Sequence, residues 1–160
     1  MSKTIPIIDR LEGLALTRPN QKAYVFLSGA DLVADIITYK QLFDRSNQYA
    51  QMLSKDSSLG DRVLIIQPPG HEFLCTLLGC FMAGLTAIPC FPPNNRSTSR
   101  TSERFAGIYA KSLSKWTIGP RSILEHARYN PKAYTQDFLS QVFSHAGVWL
   151  DSYLGAEFKN

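Results

Sequence analysis

Apolar residues change their spacing several times before residue 90, and each change predicts an element. Ile7, Ile8, Leu11, Leu14 and Ala15 recur three to four apart, as one face of a helix does, and "TRPNQ" stops the run. "KAYVFLS" and "LVADIIT" are strand-like runs either side of Gly29-Ala30-Asp31, a spacing that suits a hairpin. Thr38 opens "TYKQLFDRSNQYAQMLS", where its hydroxyl can accept from the Gln41 amide while the Gln41 side chain reaches back. This is a capping box, and it predicts a helix running to about Ser54.

After "KDSSLGD" the pattern turns nearly continuous. "RVLIIQ" is a β-branched run of the kind found in strands covered on both faces of a parallel sheet. A helix from about His71 to Ala83 and a strand in "LTAIPCF" complete a strand–helix–strand unit, whose short connections require a parallel pairing. "NNRSTSRTSER" is a polar linker, and "RFAGIYAKSL", "KWTIG" and "PRSILEHAR" continue as helix, strand and helix. Beyond Asn130-Pro131, helical spacing returns through Phe138, Leu139, Val142, Phe143, Ala146, Trp149, Tyr153 and Leu154. The expectation is an α/β fold: a mostly parallel sheet flanked by helices, entered through an N-terminal helix and hairpin. Residues 1–128 form the domain, and residues 129–160 an aromatic-rich helical tail packed on it.

Composition narrows the class. A chain of 160 residues can bury a real core, and 44% hydrophobic with 19% charged residues is ordinary globular usage. A mean hydropathy of -0.12 argues against both disorder and a membrane-dominated protein. The net charge of +4 leaves nucleic acid, anionic lipid and phosphorylated ligands all open. Cys75, Cys80 and Cys90 are odd in number and set in apolar sequence, which favours reduced, buried thiols over a disulfide framework. The start "MSKTIPIIDRLEG" lacks the pattern of a secretory signal, so a cytoplasmic location is expected. The apolar helix after His71 is too short for a membrane span, and Pro89 interrupts its apolar continuation.

Candidate chemistry concentrates at Pro68-Pro69-Gly70, where a strand passes through a glycine into a helix. Free amides at such a helix start favour anions. Prolines remove amide donors, however, and no phosphate-loop pattern is present, so a structural turn or the wall of an apolar pocket fits better. His71, Cys75, Cys80 and Cys90 lack zinc-site spacing, so no metal ligands are assigned. Arg96, Arg100 and Arg104 would form a basic stripe on a helix. They sit in polar linker sequence without interleaved aromatics, which disfavours a nucleic-acid role. No nucleophile elbow, metal-binding helix motif or paired carboxylates stand out, and no catalytic residue is assigned.

The block from Gly60 to Pro93, "GDRVLIIQPPGHEFLCTLLGCFMAGLTAIPCFPP", resembles the early segment of fatty acyl-AMP ligases, within the adenylate-forming superfamily of AMP-dependent synthetases. The likeness lies in Gly60 to Val63, Pro68 to Gly70, Gly79-Cys80, Ala83-Gly84 and the run from Pro89 through Phe91 to Pro93. "ITYKQLFDRSNQYAQML" and "RFAGIYAKSLSKWTIGPRSIL" extend it, so that it covers roughly residues 5 to 128.

The resemblance implies an N-terminal subdomain of an enzyme that uses ATP and magnesium to convert a fatty acid to an acyl adenylate. The acyl group then passes to an acyl carrier protein or a linked synthase. It also implies that the ATP phosphate loop and the mobile lysine-bearing domain lie outside these residues, so the isolated chain is expected to carry no cofactor and not to adenylate. The expected partners are a fatty acid, an acyl carrier protein or a complementary ligase fragment. A non-enzymatic module binding an acyl chain or a protein is the alternative, using Pro69, Gly70, His71, Phe73 and Phe91 as substrate-binding residues. A basic phosphate or nucleic-acid binder is a weaker one. The tail, through Phe138, Val142, Phe143 and Trp149, is expected to cover apolar surface that the rest of a ligase would otherwise cover.

Overall fold

The computed structural model describes residues 6–28, 33–91, 104, 107–108, 110–119 and 148–151. The chain divides into two compact units: residues 1–59 with 69–85, and residues 60–68 with 86–160.

The first unit is built from α1 (Ile7–Thr17), the antiparallel pair β1 (Lys22–Ser28) and β2 (Val33–Thr38), α2 (Tyr39–Ser54) and α3 (His71–Met82). The capping box at Thr38 is present: the Gln41 amide donates to Thr38 Oγ1 at 3.3 Å and the Thr38 amide to Gln41 Oε1 at 3.0 Å. Two orphan donors at the head of α2 are thereby satisfied, which is why the strand β2 turns into a helix there.

Leu11, Ile37, Leu42, Tyr49, Cys75 and Leu78 form the core of this unit, bringing α1, β2, α2 and α3 to one apolar centre. The helices α2 and α3 approach very closely. A Cβ on Gly79 would lie 2.6 Å from Tyr49 Cβ and 2.8 Å from the Ser46 carbonyl oxygen, so only glycine permits the contact. Gly84, at φ +67°, then ends α3 in the left-handed region.

The second unit is a four-stranded, wholly parallel sheet in the order β4-β3-β5-β6. Its strands are β3 (Arg62–Ile65), β4 (Thr86–Pro89), β5 (Trp116–Gly119) and β6 (Val148–Asp151). Backbone bonds extend the ladders past the strand ends: Thr86 N to Asp61 O at 2.9 Å, Cys90 N to Ile65 O at 2.8 Å and Ile66 N to Ile118 O at 2.8 Å. Val63, Leu64, Ile65 and Ile66 are all fully buried. Successive residues of a strand point to opposite faces, so the strand is covered on both, as the apolar run predicts. The described positions from Arg104 to Ser112 are helical, in agreement with "RFAGIYAKSL".

One expectation is corrected. Residues 148–151 form β6, paired in parallel with β5 from Trp116↔Val148 to Gly119↔Asp151, whereas the spacing predicts helix through Trp149. "VWLD" is too short for periodicity to separate helix from strand, and the ladder offered by β5 decides it. Phe138, Val142 and Phe143 lie outside the described residues, as do Arg96 and Arg100.

Candidate functional site

Pro69 and Gly70 lead directly into α3. Gly70 has φ 165°, an extended backbone open to any residue, and a Cβ there would meet nothing within 4 Å. No side chain caps α3, and Glu72 supplies the negative charge that complements the helix dipole in its first turn.

The next two residues, His71 and Glu72, build a charged cluster. Each ring nitrogen of His71 faces a carboxylate: Nδ1 contacts Asp35 Oδ2 on β2, and Nε2 lies 3.3 Å from Glu72 Oε1. Arg45 on α2 donates to Glu72 Oε1 at 2.7 Å, and the Tyr49 hydroxyl donates to Glu72 Oε2 at 2.9 Å. The Tyr49 phenol is pushed up by burial and then by the Glu72 charge, which holds it in its donor form. Asp35, Ile36, Ile37, Gln41, Arg45 and His71 line a hollow of about 100 Å³. This Asp35–His71–Glu72–Arg45–Tyr49 chain ties β2, α2 and α3 together by hydrogen bonds and the Arg45–Glu72 ion pair.

Of the five residues predicted to bind substrate, Pro69, Gly70, His71 and Phe73 are one continuous turn and helix start, with Phe73 half-buried. Phe91 belongs to the second unit, just past β4, and is 80% exposed. Sequence reasoning missed Asp35, Arg45, Glu72 and Tyr49. Arg45 and Glu72 are 27 residues apart, so no local spacing announces their pairing.

The thiols are chemically quiet. Burial pushes Cys75 up to about 12, helped by the Glu72 charge, and burial alone pushes Cys80 up to about 12. Cys90 is also raised by burial, and all three cysteines are free. Among the described residues no group of three or more His, Cys, Asp or Glu is placed to hold a metal ion. Gln67, just past β3, is buried with neither amide atom paired, but it is shut away from solvent and offers a ligand no approach.

ATP and magnesium can be tested against this arrangement. A hollow of about 100 Å³ is too small for a nucleotide, whose pockets run to about 300 Å³ or more. Its carboxylate partners are already engaged by His71 and Arg45. This hollow is therefore not assigned to the nucleotide or its metal, and no chemical step is routed through either.

The family model for AMP-binding enzymes matches residues 12–145. The chain belongs to the AMP-binding enzyme family. A medium-chain-fatty-acid–[acyl-carrier-protein] ligase, JamA of Moorena producens, is 33% identical over 102 residues, covering 64% of this chain and 17% of that protein. A long-chain-fatty-acid–AMP ligase, FadD28 of Mycobacterium tuberculosis, is 35% identical over 96 residues, covering 58% of this chain and 17% of that protein.

Among solved structures, a fatty acyl-adenylate ligase from L. pneumophila, in complex with acyl adenylate and pyrophosphate, superposes with a TM-score of 0.69 at 25% identity. It covers 92% of this chain and 23% of that one. The N-terminal domain of FACL13 from Mycobacterium tuberculosis shares the fold, with a TM-score of 0.63 at 24% identity over 96% of this chain and 36% of that one. The AMP-binding chain therefore has the fold of the N-terminal subdomain of adenylate-forming enzymes, with fatty acyl-AMP ligases among its relatives. It spans about a fifth of their length or less. Among the described residues no helix is long and apolar enough to cross a membrane.

Proposed function

We propose that this chain is the N-terminal structural part of a fatty acyl-AMP ligase activity and that it does not adenylate by itself. The observation that carries the reading is the match to fatty acid-activating ligases over most of the chain, combined with its span of only 17% of two of them. In-line attack of a carboxylate on the α-phosphate of ATP needs the phosphates positioned and the developing charge stabilised. The charged groups clustered around His71 instead satisfy one another. Its role in the complete activity is to supply a packed platform against which ATP- and magnesium-binding parts of a longer protein, or of a second chain, complete the enzyme. The product is an acyl adenylate, and an acyl carrier protein is the acceptor that fits the relative named for it.

A specific surface supports a complementary polypeptide as partner. Val25 and Leu27 on β1 are two apart, and Ile36 on β2 is opposite Val25, so all three share one face of the hairpin. They are 49%, 61% and 41% exposed, an apolar face where a solvated hairpin would carry polar residues.

The test is complementation. A fatty acyl-AMP ligase lacking its corresponding N-terminal part is mixed with this chain, and acyl adenylate formation is followed. Restored, fatty-acid-dependent product supports the reading. No restoration together with saturable fatty-acid binding by the chain alone, without ATP, favours the binding module instead.

A further inference from the structure

His71 is the first residue of α3, and its two carboxylate partners are held very differently. Glu72 is anchored from α2 by Arg45 at 2.7 Å and Tyr49 at 2.9 Å, so it keeps its place whatever the charge on the imidazole. Asp35, on β2, has His71 as its one ion-pair partner among the described residues. The hollow of about 100 Å³ beside them leaves the Asp35 side chain room to move. An imidazolium has two N–H donors and satisfies both carboxylates; a neutral ring has one, and turns a lone pair on the other.

We propose that the His71 proton is a latch between the hairpin and α3. With the proton bound, His71 ties Asp35 of β2 to the helix start. With the proton gone, the Nε2 or Nδ1 lone pair faces a carboxylate, and Asp35, the partner without a second anchor, lets go. The groups that face His71 are Asp35 from β2 and Glu72 within α3, with Arg45 and Tyr49 of α2 acting through Glu72. The tie therefore exists while Asp35 is ionised and His71 protonated. It weakens once rising pH takes the proton from the imidazole. Release loosens the strand pair that carries the exposed Val25, Leu27 and Ile36 face, so the latch would set how rigidly that face is presented.

Amide hydrogen exchange of residues 33–38 tests this in the whole chain, comparing wild type with His71→Gln and Asp35→Asn near pH 5.5 and near pH 8. Ratios between wild type and variant cancel the intrinsic pH dependence of exchange, and the amides of α2 report any global loss of stability. The expected result is about fivefold greater protection of residues 33–38 in wild type near pH 5.5, the size of a partly exposed ion pair. The ratio should fall towards one near pH 8, with α2 unchanged. A ratio that is the same at both pH values, or an Asp35→Asn chain that keeps the wild-type pH dependence, overturns the latch.

Discussion

The two compact units are held by different means. In the sheet unit, β3 is fully buried from Val63 to Ile66, and its strands are joined by evenly spaced parallel ladders. In the helical unit, a close approach of α2 and α3 at Gly79 is joined to a chain of charges from Asp35 to Tyr49. The first kind of cohesion depends chiefly on apolar volume and backbone ladders, with the Lys115–Asp61 pair at its margin. The second depends on a particular small residue and on particular protonation states. Losses of volume should therefore hurt the sheet most, while gains of volume and changes of charge should hurt the helices most.

The largest contrast is chemical. Cys75 and Cys80, in α3 and fully buried, should react with a thiol reagent near pH 8 more slowly than the partly buried Cys90 in the sheet unit, because burial suppresses the thiolate and excludes the reagent. Mass spectrometry of a labelling time course reads this directly, and equal rates would remove the contrast. The same raised values give a pH dependence. Both thiols bind their protons more tightly folded than unfolded, so stability is intact below about pH 9 and declines as pH rises toward 12.

Next in size is Ile65→Ala in β3, expected to cost about 2–5 kcal/mol in urea unfolding, since the site is enclosed on both faces. Gly79→Ala should cost about 1–3 kcal/mol despite alanine's better helix propensity, because Tyr49 Cβ and the Ser46 carbonyl oxygen cannot swing aside. Gly13→Ala in α1 is its control: nothing lies within 4 Å, so a gain of about 0.5–1 kcal/mol is expected. Were Gly79→Ala also stabilising, the close helix approach would be refuted. The smallest effect is Glu72→Gln, which keeps the shape but weakens the bonds to Arg45 and Tyr49 and should cost about 1 kcal/mol. That loss should be larger in low salt than in high salt.

The same division explains what could be read from the sequence. The capping box at Thr38 and Gln41, the helical spacing of α1, and the unbroken run of β3 are local patterns, and each forms where its residues predict. The Gly60–Pro93 block, with its Pro-Pro-Gly turn, signals the family through the identity of neighbouring residues. The charge cluster has no such signal: His71 stands out by its place beside the turn, but Asp35, Arg45 and Tyr49 reach it only after β2, α2 and α3 pack. Residues 148–151 mislead for the converse reason. Four apolar-rich residues carry too little period to choose, and a tertiary partner, β5, chooses strand.

We propose that this chain supplies a packed platform and that the adenylating groups lie in other parts of the enzyme. The most direct test is fatty-acid-dependent exchange of pyrophosphate into ATP by the purified 160-residue chain with magnesium. The account predicts exchange no faster than in a blank without protein, across fatty acids of short, medium and long chain. Saturable, fatty-acid-dependent exchange by the chain alone would contradict it.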